Sequence, residues 1–237
     1  METGGKVYRF NVNEIINAKN MAIIKPDLVS KTVFYWCSQD CFQILNDQKT
    51  LIGIGNIGYF MSSEIVIEDI TNTDPNYVPV KFIIEGGETN TILIDEDRNC
   101  MFFGNNDGIV VQYSIDIKGY SRKIIKNYGD LGIGWIISSL RIGNIAVFGG
   151  NNSSLAFINI DSRQHLGNVS DLAMKWISSI ELCTVKNKSD VKLLLTVGGS
   201  RYDYSGSKTD VIDITEFIKS GEWNVNISKT NHINSQK

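Results

Sequence analysis

Histidine and proline are scarce in this chain, with two and three copies in 237 residues. Against those three prolines stand 21 glycines and 42% hydrophobic residues, which excludes a proline-rich disordered chain. The four cysteines, Cys37, Cys41, Cys100 and Cys183, include no pair at the two-residue spacing of a zinc knuckle. Only His165 and His232 are available to complete a ligand set, so no metal and no cofactor is expected, and the thiols read as structural or free. No window carries a run of lysines and arginines, and the formal net charge is −3. A nucleic-acid partner is therefore not expected, because nothing offers phosphates a basic footprint. No stretch reaches the roughly 18 to 20 apolar residues that cross a bilayer, and Met1-Glu2-Thr3-Gly4-Gly5-Lys6 lacks the apolar core of a signal peptide. The expectations are no membrane association and a reducing, cytoplasmic location, in which the Asn-x-Ser triplets at Asn151, Asn168 and Asn226 are chance occurrences.

What the chain does have is a hairpin that recurs. Residues 100–115 read as an unbroken apolar run, a polar turn containing Gly104 and Gly108, and a second run rich in β-branched and aromatic residues. That pattern predicts two buried antiparallel strands joined by a tight turn. Similar runs predict strands over residues 32–36, 41–45, 50–54 and 64–70, then 91–94, 99–103 and 109–115. Two further groups follow, over 135–142, 145–148 and 155–160, and over 176–184, 192–197 and 209–214.

The recurrence has a fixed period. Gly55, Gly104, Gly149 and Gly198 end equivalent strands at steps of 49, 45 and 49 residues, and Gly5 lies 50 residues before Gly55. In a second register, Asp130-Leu131 with Trp135-Ile136 matches Asp171-Leu172 with Trp176-Ile177 at an offset of 41 residues. Asp27-Leu28, followed by Thr32-Val33, fits the same frame. In a third, Ile44-Leu45-Asn46-Asp47 stands before Gly55 as Leu93-Ile94-Asp95-Glu96 stands before Gly104. A period in the forties with three or four strands per repeat predicts an all-β propeller of four-stranded blades, about four to five repeats in an incomplete or open ring.

Asp107-Gly108 and the strand that follows, through Tyr113-Ser114, resemble the Asp-Gly turn and Trp-Asp-terminated strand of the WD-repeat propeller family. Phe10-Asn11, Glu68-Asp69, Ile158-Asn159 and Ile212-Asp213 occupy the same dipeptide position in the other repeats. The resemblance spans residues 4–215 as one domain and leaves 216–237 as a C-terminal tail, with residues 223–227 able to add one strand. It implies a ring with loops displayed on one face. No Trp-Asp dipeptide occurs and neither histidine sits in a Gly-His pair, which departs from the family's histidine-centred network.

Three motifs bear on chemistry. Gly53-Ile54-Gly55-Asn56-Ile57-Gly58 matches the dinucleotide fingerprint, but that fingerprint needs a helix next, and the following residues alternate in a strand pattern. Asp95-Glu96-Asp97 reads as a solvated hairpin turn, because calcium requires more ligands at alternating positions. No Gly-x-Ser-x-Gly elbow is present and His165 has no evident orienting partner, so no catalytic residue is expected. Trp135 and Trp176, at equivalent places in two repeats, are expected to be core residues that fill the wedge between sheets.

The last hairpin is longer than the rest and carries Arg201, Tyr202 and Tyr204 between glycines and serines, residue types that dominate protein–protein hot spots. In a WD-like ring this loop joins Asp27, Asp130 and Asp171 of the connections, and Asn105, Asn106, Asn151 and Asn152 of the turns, on one polar face. The expected function is a non-catalytic protein-interaction scaffold with protein partners, including a partner chain that completes the ring. The alternatives are a propeller-fold hydrolase or sugar-processing enzyme with carboxylates in the channel, and a truncated repeat fragment without an independent role.

Overall fold

Runs such as Val147-Phe148-Gly149 are apolar at every position because both faces of their strand are covered. A computed structural model of the protein describes residues 4–17, 25–32, 34–35, 40–58, 62–116, 121–187, 190–200, 207–221 and 229–233. Among these residues the fold is all-β, with twenty strands and two six-residue helices. Four antiparallel four-stranded sheets and two two-stranded ladders account for the strands. The chain forms two compact units, the first made of Met1–Cys37 and Cys41–Glu88, the second of Ser38–Asp40 and Thr89–Lys237.

The first unit opens with β1 (Gly4–Gly5), β2 (Tyr8–Arg9), α1 (Val12–Asn17), β3 (Leu28–Val29) and β4 (Phe34–Tyr35). β1 pairs with β4 and β2 with β3. Then β5 (Phe42–Ile44), β6 (Thr50–Gly58), β7 (Ser62–Asp69) and β8 (Val80–Glu85) form a meander in that order. Leu51, Val66 and Ile70 make a small core against Val7, Leu28 and Ile44. Beside it the fully buried carboxylate of Glu68 accepts the backbone N–H groups of Lys31 and Thr32. β6 runs through the whole Gly53 to Gly58 motif and pairs with β7. Among the described residues the glycines are followed by another strand, β7 from Ser62, and not by the helix on whose N-terminal amides a dinucleotide pyrophosphate sits.

The second unit holds three successive meanders. The first is β9 (Thr89–Asp95), β10 (Cys100–Asn105), β11 (Ile109–Asp116) and β12 (Ser121–Asp130). The second is β13 (Ile136–Ile142), β14 (Ile145–Gly150), β15 (Leu155–Asn159) and β16 (Gln164–Val169). The third is β17 (Trp176–Asn187), β18 (Asp190–Ser200), β19 (Ser207–Asp213) and, after α2 (Thr215–Ser220), β20 (Lys229–Ile233). The first strands lie side by side, β9 against β13 and β13 against β17. Between the first two sheets Phe102, Val110, Ile136, Phe148 and Ile158 form one core. Between the second and third, Val147, Phe157, Ile177, Leu195, Val197 and Ile212 form another, closed by Phe217 of α2, whose ring meets that of Phe157 edge-on at 5.7 Å.

The periodic glycines explain how closely these sheets approach. A Cβ on Gly104 of β10 would lie 2.5 Å from Cγ2 of Ile136 on the next sheet, and one on Gly149 of β14 would lie 2.6 Å from Cγ2 of Ile177. Each isoleucine is fully buried. The glycine register and the Trp-Ile register of the sequence are thus two sides of one contact, a β-branched side chain seated over a missing one. A bulge makes it possible: Ile136 stands opposite Gly150 but Ser138 stands opposite Gly149, and β17 repeats the shift with Ile177 opposite Gly199 and Ser179 opposite Gly198. The extra residue turns Ile136 toward the preceding sheet, while the Ser138 hydroxyl donates to the Ile177 carbonyl on the following one at 2.6 Å. At Gly198 of β18 the pattern stops. Among the described residues only Ser179 Oγ, at 2.7 Å, lies near the position of its missing Cβ, and no isoleucine is seated there.

The structure corrects the strand grouping read from the sequence. The sheet containing β5, β6 and β7 takes its fourth strand from Val80–Glu85, whereas the Phe34–Tyr35 segment pairs with Gly4–Gly5. β8, β12, β16 and β20, the last strands of the four four-stranded sheets, had no counterpart in the apolar pattern. β12 shows why: Arg122, Lys123, Ile124 and Lys126 are exposed along it, as suits a strand paired on one side only. The strand anticipated at 223–227 lies outside the described residues.

The two glycine positions should differ in tolerance. Gly149→Ala is expected to cost about 1 to 3 kcal/mol through overpacking against Ile177. Gly198→Ala should cost less than about 1 kcal/mol, since the Ser179 hydroxyl is free to rotate away. Urea denaturation of the two variants measures the difference, and equal losses would contradict the seat at Gly149.

Candidate functional site

Each Asp-Leu-x-x-x-Trp-Ile segment delivers its residues to different places. Leu131, Ile133 and Ile136 in the first copy, and Leu172, Met174 and Ile177 in the second, are buried. The tryptophans remain outside. Trp135 is 46% exposed and Trp176 is half-buried, and the two indoles meet edge-on with centroids 5.6 Å apart. This overturns the expectation that both are core residues: the isoleucine that follows each one fills the space between sheets, so the indole is not needed there.

The turns and connections at this end of the second unit are tied together by hydrogen bonds. Asn105 Oδ1 accepts the N–H groups of Asp107 and Ile109 at 3.0 and 2.9 Å, folding the β10–β11 turn upon itself. Leu131 N–H donates to the Gly108 carbonyl at 3.0 Å, and Asp130 Oδ1 accepts Gly132 N–H at 2.8 Å. Asn151 Oδ1 accepts Trp135 N–H at 3.0 Å, while Asn152 Nδ2 donates to the Gly132 carbonyl at 2.9 Å. On its other side the same β14–β15 turn receives Leu172 N–H at the Ser153 carbonyl and gives Ser153 N–H to the Lys175 carbonyl, both at 3.0 Å. The β14–β15 turn is therefore clamped between the β12–β13 and β16–β17 connections. Asp171, exposed and with φ of 58°, begins the second of these.

The residues expected on one polar face thus divide. Asn105, Asn106, Asp130, Asn151, Asn152 and Asp171 all belong to turns or connections at this end of the second unit, Asn106 bonded to Asn90 Nδ2. Asp27 lies in the first unit and pairs with Arg9 at 2.9 Å. Arg201, Tyr202 and Tyr204 lie outside the described residues. Asn168, which in the sequence stood out only as a chance Asn-x-Ser triplet, donates from Nδ2 to the Leu131 carbonyl at 2.7 Å, and its Oδ1 contacts His165 Nε2 at 2.8 Å. His165 lies in β16.

At the opposite end of β10 the chemistry is ionic. The Asp95 carboxylate is 0% exposed and accepts from Arg98 and Arg141, each at 3.0 Å. The same arginines reach Asp161 at 2.6 Å and Asp97 at 2.7 Å. Asp95 is therefore not part of a solvated turn, as the sequence suggested, but the hub that joins two sheets. Hydrogen bonds from Arg141 and Arg98 hold the carboxyls of Asp97 and Asp161 below the usual carboxylate range. Nearby, Tyr128 Oη donates to Gln112 Oε1 at 2.9 Å, and burial pushes the Tyr128 hydroxyl up to about 12 and raises the Cys100 thiol. Cys100 is thereby kept protonated and unreactive at neutral pH. Asp40 accepts Ser139 N–H at 2.7 Å, and burial raises its carboxyl. Among the described residues no three His, Cys, Asp or Glu side chains gather where one metal ion could bind, and no helix is long and apolar enough to cross a membrane.

No family model matches the sequence, and no curated protein matches it significantly. Among solved structures the chain is similar to the computationally designed Ika8 protein, at 17% identity with a TM-score of 0.46, over 73% of this chain and 45% of that one. The chain spans less than half the length of that structure.

Arg141→Ala is expected to destabilise the protein by about 1 to 3 kcal/mol, because Asp95 loses one of its two partners without access to water. The depressed carboxyls of Asp97 and Asp161 add stability that is complete above their unfolded values near 3.8 and is lost as the pH falls through their lower folded values. Thermal melts between neutral pH and about pH 2 should show the midpoint falling below about pH 4, and a smaller acid-dependent fall in Arg141→Ala; an unchanged fall would exclude the network as its source.

Proposed function

We propose that the protein is a non-catalytic interaction scaffold, built on a WD-repeat-like propeller whose blades are the four-stranded sheets. The observation that carries this reading is the clamped rim of the second unit. There asparagine and aspartate side chains hold turns and connections in place, and the exposed Trp135 stands among them against the half-buried Trp176. Such a rim suits binding, because loops fixed in advance lose little entropy when a partner docks. Asn105, Asn151 and Asn152 act in this reading as positioning residues, and contact with partners falls to more exposed groups nearby. Arg201, Tyr202 and Tyr204, which the sequence places between β18 and β19, are proposed contacts of the same set.

The open-ring part of the reading is supported by Gly198, which repeats the seat of Gly104 and Gly149 without an isoleucine among the described residues. A partner chain that completes the ring would supply the missing side chain. The unequal tolerance of Gly149 and Gly198 bears directly on it.

Affinity capture with chemical cross-linking tests the scaffold. The native chain is expected to retain specific proteins, and the combined change of Arg201, Tyr202 and Tyr204 to alanine is expected to lose at least one of them. Retention of every partner by the triple variant would remove that loop from the contact surface, and capture of none by the native chain would remove the scaffold reading itself.

A further inference from the structure

The tryptophans of the two repeated segments stand where packing does not require them. Ile136 and Ile177 occupy the glycine seats, and the leucines of the segments are buried. Trp135 is nevertheless 46% exposed and held against Trp176 in an edge-on contact. That geometry directs an edge of one ring at the face of the other and leaves apolar indole surface open to solvent. The backbone that carries the pair is fixed, since Trp135 N–H is bonded to Asn151 and the Lys175 carbonyl to Ser153 N–H.

The charges around the pair choose among ligands that stack on aromatic rings. Residues 106–108, 130–135, 151–154 and 170–175, which form the described turns and connections of this rim, contain Asp107, Asp130 and Asp171 against Lys175 alone. All three aspartates are exposed. A neutral sugar would gain nothing from that excess, and an acidic segment would be repelled. A guanidinium or ammonium group gains twice, from the negative face of an indole and from the excess of carboxylates on the same rim.

The geometry points to the Trp135–Trp176 pair as a docking platform for a basic segment of a protein partner, with an arginine or lysine side chain stacked on Trp135 and Asp107, Asp130 and Asp171 drawing its charge. This rests on the scaffold reading and names the chemistry of its partner.

The indole Nε1–H resonances of the full-length protein, labelled with nitrogen-15, report on the pair directly. Trp135→Phe and Trp176→Phe assign the two signals. The probe is the blocked peptide Gly-Arg-Gly-Arg-Gly, with Gly-Glu-Gly-Glu-Gly and maltotriose as controls. Saturable shifts of the Trp135 and Trp176 signals are expected with the arginine peptide alone, weakening as salt is raised. Asp130→Asn combined with Asp171→Asn should weaken binding about two- to fivefold; asparagine keeps the oxygen that accepts Gly132 N–H and tolerates the positive φ at position 171, so this variant tests charge without dismantling the rim. The proposal is overturned if the arginine peptide leaves both signals in place, if the glutamate peptide or maltotriose moves them equally, or if the asparagine variant binds as tightly as the native protein. Partner capture by the native chain that the asparagine variant retains in full would sink this proposal while leaving the scaffold standing; capture of no partner at all would sink the scaffold first.

Discussion

The absence of a side chain at Gly104 and Gly149 is the constraint on which the second unit depends. Each glycine lets an isoleucine from the neighbouring sheet come within van der Waals reach of the backbone, and burying such a side chain contributes about 1.5 to 3 kcal/mol. Any larger residue would push the sheets apart and open the cores around Phe102, Phe148 and Phe157 to voids. The inner strands follow from this contact. Because Ile136 and Ile177 must reach across at the start of β13 and β17, those strands begin with a bulge, and β13 lies beside both β9 and β17.

The two ends of the sheets are secured by different chemistry. At one end short neutral hydrogen bonds close the β10–β11 turn on Asn105 and, through Asn151, Asn152 and Asn168, tie the β14–β15 turn and the end of β16 to the β12–β13 connection. At the other, a buried aspartate and two arginines bridge the β9–β10 turn to β13 and to the turn before β16. The ionic end pairs its buried carboxylate, Asp95, with two arginines that are themselves shared with Asp97 and Asp161. The neutral end consumes its asparagines but leaves tryptophans and aspartates turned outward, which is why the functional reading concentrates there.

Much of the architecture was legible in the sequence, and the reasons are specific. Gly55, Gly104, Gly149 and Gly198 announced the period; β10 and β14 were visible because burial on both faces leaves them almost wholly apolar, and their neighbours because short apolar runs such as Ile92-Leu93-Ile94 and Ile109-Val110-Val111 flank the turns. The outer strands were not visible, since a strand such as Ser121–Asp130, exposed along one face and one edge, has a composition close to that of a loop. Trp135 was misread because a repeated aromatic has the same appearance in sequence whether it fills a core or flanks one; only the position of the isoleucine after it, over Gly104, separates the two. Asp95 was misread because its partner Arg141 lies on another sheet, and nothing local in Asp95-Glu96-Asp97 announces a long-range ion pair. Of the surface residues anticipated, Asn105, Asn106, Asp130, Asn151, Asn152 and Asp171 lie in turns and connections at one end of the second unit, while Asp27 belongs to the first unit and pairs with Arg9.

The bulge near the start of β13 and β17 has a consequence for how this rim can change over time. Strand alternation would normally transmit any shift of one position down the whole strand, exchanging inside for outside. The unpaired residue between Ile136 and Ser138, and between Ile177 and Ser179, resets that alternation just below the tryptophans. Loop and core are thereby uncoupled, and the residues above the reset can be lengthened, shortened or replaced while the packed interior below keeps its phase. A fold with such a break can acquire new binding specificities at its rim without rebuilding the sheets that support them.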